Sequence, residues 1–83
     1  MADEIIGKVT HFYDKLGVAV VKLTDKLSTG DKIKVVKGDN EFTDVVVSMQ
    51  INQESVSSAK AGEEVAVMIS KVAKEGSIVY KID

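Results

Sequence analysis

Apolar and polar residues alternate along most of the chain with a period of two, which is the pattern of antiparallel strands that bury one face. In the clearest segment Ile33 and Val35 share one face, while Lys32 and Lys34 share the other. The alternation predicts six strands, at residues 4–13, 17–23, 32–37, 41–52, 64–69 and 77–82.

The fourth predicted strand is expected to bury one face along most of its length. Val45, Val47, Met49 and Ile51 have the same parity, which would direct all four side chains toward the core. The polar stretch that follows, residues 53–62, is expected to be the longest loop of the chain.

Glycines mark irregular positions in the predicted strands. Ile6 and Val9 have opposite parity in the first strand, so we expect a bulge near Gly7 that resets the register. Residues 38–40, Gly-Asp-Asn, are typical of a hairpin turn between the third and fourth strands.

Composition favours the same all-β class. The β-branched residues comprise 14 Val, 7 Ile and 4 Thr, whereas Leu occurs only three times, a bias toward strands over helices. Six short strands in 83 residues predict one domain, spanning residues 1–83, folded as a small closed barrel. Closure would remove exposed sheet edges, which are an aggregation hazard for a Val-rich chain.

Charge and reactive residues narrow the function classes. The chain has no Cys and a single His, which excludes disulfides, thiol nucleophiles and multi-histidine metal sites. All eleven basic residues are Lys and the net charge is −2, a composition that disfavours a dedicated nucleic-acid binder. No signal peptide or membrane-spanning run is visible, so we expect a cytoplasmic protein with no membrane association.

Several runs of residues resemble the β-barrel of translation factors. They are IGKVTHFY (6–13), GVAVVKL (17–23), LSTGDKI (27–33), VSMQ (47–50), AGEEVAV (61–67) and GSIVY (76–80). Together these runs are similar to domain 2 of elongation factor Tu and to small stand-alone elongation-factor-like proteins. They also resemble the C-terminal domain of collagenase-like peptidases implicated in RNA modification.

The resemblance implies a six-stranded antiparallel Greek-key β-barrel that acts as a non-catalytic binding module. It implies docking onto a protein or ribonucleoprotein partner in translation or RNA modification. In elongation factors this domain helps to hold the aminoacyl end of tRNA and packs against a GTPase domain. No phosphate-binding loop of the form G-x-x-x-x-G-K-[ST] occurs in this sequence, so nucleotide hydrolysis is not expected.

The end of the first strand and the polar loop are the expected contact surface. The candidate partner-binding residues are His11, Phe12, Tyr13, Gln53, Glu54 and Lys60. Neighbouring side chains on a strand point to opposite faces, so the first three cannot all be buried. The competing interpretation is that these aromatic residues close the end of the barrel as part of its core.

Direct binding of RNA or of a tRNA end is the alternative function. It would use Lys22, Lys32 and Lys34 together with one exposed aromatic ring. The competing interpretation is a solvated outer face that resists aggregation.

An enzyme or enzyme subunit is a third interpretation, and the sequence gives it little support. His11 is the only candidate general base, and Asp14 and Thr10 are too close to it in sequence to form a relay on an extended strand. No catalytic residue, metal site or cofactor is therefore expected.

Overall fold

The computed structural model describes residues 4–82 of the chain. This range contains ten strands, connected by turns and loops, and no helix. The strands are β1 (Glu4–Tyr13), β2 (Val18–Leu23), β3 (Leu27–Ser28), β4 (Lys32–Lys37), β5 (Asn40–Val45), β6 (Met49–Ile51), β7 (Glu54–Val56), β8 (Ser58–Ala59), β9 (Glu64–Met68) and β10 (Ile78–Ile82). The predicted all-β class is confirmed. Within the described range there is no helix long and apolar enough to cross a membrane.

Eight strands form one antiparallel sheet in the order β5-β4-β10-β1-β2-β9-β6-β7, and β3 pairs with β8 separately. Within residues 4–82 no ladder joins the two edges, so the expected six-stranded barrel is replaced by an open sheet. The chain between β5 and β6 explains the gap. There the N–H of Val46 donates to the Asp31 carbonyl at 2.9 Å, and its carbonyl accepts from the N–H of Gly30 at 2.7 Å, so Val46 bonds to a turn instead of extending a ladder.

The fourth predicted strand is corrected by the structure. It divides into β5 and β6, and Val46 is the buried side chain, while Val45 and Val47 are exposed. The alternation of buried and exposed side chains is interrupted here because residues 46–48 do not belong to a strand. The expected loop at residues 53–62 is also wrong in part, since β7 and β8 lie within it.

Strand β1 contains the predicted bulge and a second one. Its register against β10 shifts between Ile5 and Gly7, and its register against β2 shifts between Val9 and His11. A Cβ atom at Gly7 would lie 2.6 Å from Cγ1 of Val21, so the two backbones approach too closely there for any other residue. The bulges bend β1, which lets it pair with β10 along its first half and with β2 along its second.

One hydrophobic core packs against one face of the sheet. Phe12, Phe42, Ile51 and Val56 are partly buried and pack against it. The buried members are Ile6, Val9, Ala19, Val21, Leu23, Leu27, Ile33, Val35, Val46, Met49, Ala59, Val65, Val67, Ile69, Ala73 and Val79.

Candidate functional site

The end of β1 presents two of its three aromatic-type side chains to solvent. His11 and Tyr13 are exposed, with ring centroids 6.3 Å apart, whereas Phe12 turns inward and packs against the core. This arrangement follows the alternation expected for a strand. Phe12 therefore serves the core, and His11 and Tyr13 remain available for contact.

His11 forms a surface pair with Glu75. Its Nδ1 lies 3.3 Å from Oε2 of Glu75, and both side chains are more than 60% exposed, at 61% and 66%. Pairs this exposed contribute little to stability because water screens them. The arrangement is that of a solvated histidine on the surface.

The polar candidates lie in a different part of the molecule. Asn52 and Gln53 adopt positive φ values of 53° and 67° and form the tight turn between β6 and β7, and Glu54 follows on the exposed edge strand. The N–H of Lys60 donates to Oε1 of Glu63 at 2.9 Å, which shapes the turn before β9. These side chains lie near turns that connect strands.

Register shows that the two groups of candidates do not form one surface. At one end of the β2–β9 ladder Val18, the partner of Tyr13 on β1, pairs with Met68; at the other end Lys22 pairs with Glu64. Four residues of extended chain separate these ends by about 13 Å. The prediction that His11, Phe12 and Tyr13 lie next to the 53–60 segment is therefore wrong.

An apolar surface that the sequence did not predict lies around the end of β9. We call Leu16, Val45, Val47 and Met68 the apolar rim; Val47 is 69% exposed and Met68 is 47% exposed. The last three line one groove of about 350 Å³ with Ile69. Apolar surface at a groove is a recurrent feature of binding sites.

Three segments of backbone bring the apolar rim together. The N–H of Met68 donates to the Ser48 carbonyl at 3.1 Å, which holds the segment carrying Val47 against β9. The N–H of Ile69 donates to the Gly17 carbonyl at 2.9 Å, which holds the turn carrying Leu16 on the other side. The groove is thus fixed by main-chain hydrogen bonds.

One carboxylate borders the groove. Oδ2 of Asp44 accepts from the N–H and the Oγ of Ser70 at 2.8 and 2.9 Å, and Oδ1 accepts from the N–H of Val45 at 2.8 Å. Burial opposes the charged form of Asp44, but these hydrogen bonds and the charge of Lys71 outweigh it and lower the pKa of Asp44 below its usual value. We call the contact of Asp44 with Ser70 the Asp44–Ser70 bridge.

Lys22, Lys32 and Lys34, the lysines of the alternative function, lie on the face of the sheet that points away from the core. Lys34 pairs with Tyr80, and Tyr80 with Ile5, across β4, β10 and β1. Lys34 Nζ is 5.5 Å from the Tyr80 ring centroid. We define the lysine face by Lys8, Lys22, Lys32, Lys34 and Tyr80.

Two ladder positions extend the lysine face on either side of Tyr80. Lys32 pairs with Ile82 two residues along β10, and Lys22 pairs with Lys8 across β2 and β1. The predicted common face of Lys32 and Lys34 is therefore confirmed, and Lys22 joins it. Acidic side chains moderate the charge, since Glu41 Oε2 is 3.8 Å from Lys34 Nζ and Glu64 lies opposite Lys22.

A weak signal for the apolar rim was present in the sequence. Val65, Val67 and Ile69 share one parity, so Met68 is an apolar residue on the face that alternation reserves for polar ones. The exposure of Val45 and Val47 could not be predicted in this way, because a run of three valines does not indicate which of the three side chains is buried.

Comparison with known proteins supports the peptidase side of the resemblance. No family model matches the chain. An uncharacterized protease of Methanocaldococcus jannaschii is 42% identical over 76 residues, which cover 90% of this chain and 19% of that protein. The chain therefore spans about one fifth of the length of this relative.

Two solved structures have the same fold. One is the C-terminal domain of a Geobacillus thermoleovorans protein described as a U32 peptidase, with a TM-score of 0.89 at 17% identity, covering 96% of this chain and 93% of that one. Its selenomethionine variant gives 0.86 at 16% identity, covering 92% and 96%. The similarity to elongation factor Tu stays a prediction from the motifs.

Proposed function

We propose that this chain is a non-catalytic docking domain that binds a peptidase-type protein through the apolar rim. The observation that carries the proposal is the grouping of exposed apolar side chains around one groove, beside a sheet whose remaining apolar residues are largely buried. Exposed apolar side chains gathered in one place favour association, since covering them removes apolar surface from water.

The comparisons support this choice of partner. The protease relative carries the matching region as 19% of its length, and the solved neighbour is a C-terminal domain of a U32 peptidase. A domain of this kind has a larger peptidase-type region to pack against. By analogy, the apolar rim would contact such a region, either within one polypeptide or between two.

The non-catalytic part of the proposal rests on the surroundings of His11. A general base is usually oriented by a partner and placed at a pocket that holds substrate. His11 instead lies on the open surface and contacts Glu75, another exposed side chain. The groove at the apolar rim is lined mainly by apolar side chains, and the carboxylate that borders it, Asp44, already accepts hydrogen bonds from Ser70 and Val45.

Capture of partners from the lysate of the source cell, with mass spectrometry of the bound chains, tests the proposal. The wild-type chain should retain a peptidase-type protein, and Met68→Lys should reduce its recovery about tenfold because it places a charge in an apolar contact. Gln50→Lys is the matched control, since it adds the same charge at an exposed position on neighbouring β6.

Both variants should keep the circular dichroism spectrum of the wild type. Equal recovery of the peptidase-type protein by wild type and Met68→Lys would contradict the proposal, as would retention of no peptidase-type protein at all. A partner released by ribonuclease would favour an RNA bridge instead.

A second candidate function, direct binding of RNA in a translation or RNA-modification setting, is favoured by the lysine face. The register places Tyr80 between Lys34 and Ile5 and leaves its ring partly open, with Lys8 and Lys32 on the same face. Aromatic rings on a sheet can stack on unpaired bases while lysines contact phosphates.

Titration of a labelled single-stranded oligoribonucleotide of about 12 residues tests this second function. Tyr80→Ala and Lys32→Gln should each weaken binding, and affinity should fall steeply with added salt. Tyr13→Ala is the control, because it removes an exposed ring of the same type whose partner on β2, Val18, lies about 13 Å along the strand from Lys22. Binding that is equal for all variants or independent of salt would exclude the lysine face as an RNA site.

A further inference from the structure

A second depression, rich in lysine, adjoins the apolar rim across the Asp44–Ser70 bridge. It has a volume of about 310 Å³ and is lined by the side chains of Lys37, Lys71 and Lys74, with Phe42 and Val72 as its apolar walls. We call it the lysine cleft. Ser70 lines the groove of the apolar rim and Lys71 lines the lysine cleft, so the two depressions are consecutive along the chain.

The three ammonium groups of the lysine cleft have no carboxylate partner among residues 4–82. Nζ of Lys37 donates to the Glu75 carbonyl at 3.0 Å, and Nζ of Lys71 lies 6.0 Å from the centroid of the Phe42 ring. These contacts position two of the three ammonium groups without neutralising them. Three like charges around one depression repel each other, and an anionic ligand would relieve that repulsion.

Nearby acids do not supply the missing charge. Glu41 lines the lysine cleft, but its carboxylate lies 3.8 Å from Nζ of Lys34, a residue of the lysine face. The charge of Lys71 reaches Asp44 and helps to lower its pKa, yet the carboxylate of Asp44 is held by Ser70 and Val45. The lysine cleft is therefore a local positive site on a chain with a net charge of −2.

We infer that the lysine cleft binds the acidic side chains of an extended protein segment whose apolar side chain occupies the groove of the apolar rim. The inference rests on the proposed docking function and specifies the chemistry of the docking segment. Because Ser70 and Lys71 are adjacent, the carboxylates of the segment lie within about three residues of its apolar anchor.

The walls of the lysine cleft favour a peptide over a nucleic acid. Phe42 and Val72 present apolar surface in the lysine cleft, and the groove of the apolar rim next to it is also lined by apolar side chains. A peptide with alternating acidic and apolar residues matches both features. Complementary charges of this kind fix orientation and partner choice more than they add affinity.

Amide chemical shifts of the ¹⁵N-labelled full chain test the inference. The probe is the peptide acetyl-Leu-Glu-Phe-Glu-amide, and its counterpart acetyl-Leu-Gln-Phe-Gln-amide has the same shape without charge. The acidic peptide should shift the amide signals of Ser70, Lys71 and Val72 with a Kd of about 1 mM, because exposed charge pairs are individually weak. The neutral peptide should bind about fivefold more weakly.

Two double variants separate local from general charge effects. Lys71→Gln with Lys74→Gln should weaken binding of the acidic peptide about fivefold, while Lys26→Gln with Lys81→Gln removes the same charge outside the lysine cleft and should leave binding unchanged. Absent shifts at these amides, equal binding of the two peptides or equal loss in the two double variants would each overturn the inference. Displacement of the acidic peptide by an oligoribonucleotide that shifts the same amides would also overturn it, in favour of nucleic acid.

The outcome is separable from that of the docking proposal. If the acidic peptide binds at the lysine cleft but no peptidase-type protein is captured, the proposed partner is wrong and the inferred binding of acidic side chains stands. If capture of the partner is lost in Met68→Lys but unchanged in the Lys71→Gln, Lys74→Gln double variant, the docking function stands and the inferred acidic segment is wrong.

Discussion

The two ends of the β2–β9 ladder differ in chemistry. At one end the N–H of Gly62 donates to the Leu23 carbonyl at 2.8 Å, and Nζ of Lys22 donates to the Gly62 carbonyl at 2.9 Å. At the other end Met68 and Val47 expose apolar side chains around a groove. Polar groups at the first end are hydrogen-bonded within the chain, whereas apolar side chains at the second end are exposed to solvent.

The difference separates residues that specify the fold from residues available for binding. Hydrogen bonds at the Gly62 end fix where β9 begins, so changes there act through stability. Side chains of the apolar rim contribute little to the core, so changes there should act through association. Asp44 is the exception, because it borders the groove and also ties β5 to the chain after β9.

Two methionines on neighbouring strands provide the sharpest test of this separation. Met49 on β6 pairs with Val67 and is 1% exposed, whereas Met68, the next residue of β9, is 47% exposed. Met49→Ala should lower the free energy of unfolding by about 2–5 kcal/mol through loss of packing and a cavity. Met68→Ala should change it by about 0.5 kcal/mol or less. Urea denaturation of both variants measures the difference.

Association should show the reverse order for the same two residues. Met68→Ala should weaken capture of the partner, while folded Met49→Ala should bind like the wild type. If both variants lost similar stability, Met68 would belong to the core and the separation between fold and binding surface would be wrong.

The strands were predictable where alternation is regular. β1 and β4 begin and end at the residues expected from sequence, and the bulge at Gly7 followed from the parity change between Ile6 and Val9. The short strands β3, β7 and β8 were missed because two or three residues are too few to carry a periodic signal. Their pairing is decided by the strands beside them.

The candidate site was less predictable because it depends on how distant segments meet. Alternation along β1 predicted that Phe12 points away from His11 and Tyr13, but only the structure shows that His11 and Tyr13 are the exposed pair. The apolar rim required knowing that the chain leaves its strand after Val45, and the lysine cleft required the contact between Asp44 and Ser70, which are 26 positions apart. The lysine cleft has no local pattern in the sequence, and the apolar rim has only the apolar Met68 on a face where alternation predicts polar residues.

A smaller effect is expected at Asp44, where fold and groove meet. Its hydrogen bonds lower its pKa in the folded protein, so the stability they contribute is present above the unfolded value near 3.8 and is lost as the pH falls through the folded value. Asp44→Asn should therefore cost about 1 kcal/mol at pH 7 and less at a pH of about 2.5. Thermal unfolding of both proteins across this range measures the change. Ser70→Ala should give part of the same effect, since the Ser70 N–H still donates. A cost that stayed constant with pH would show that Asp44 acts through its shape and not through its charge.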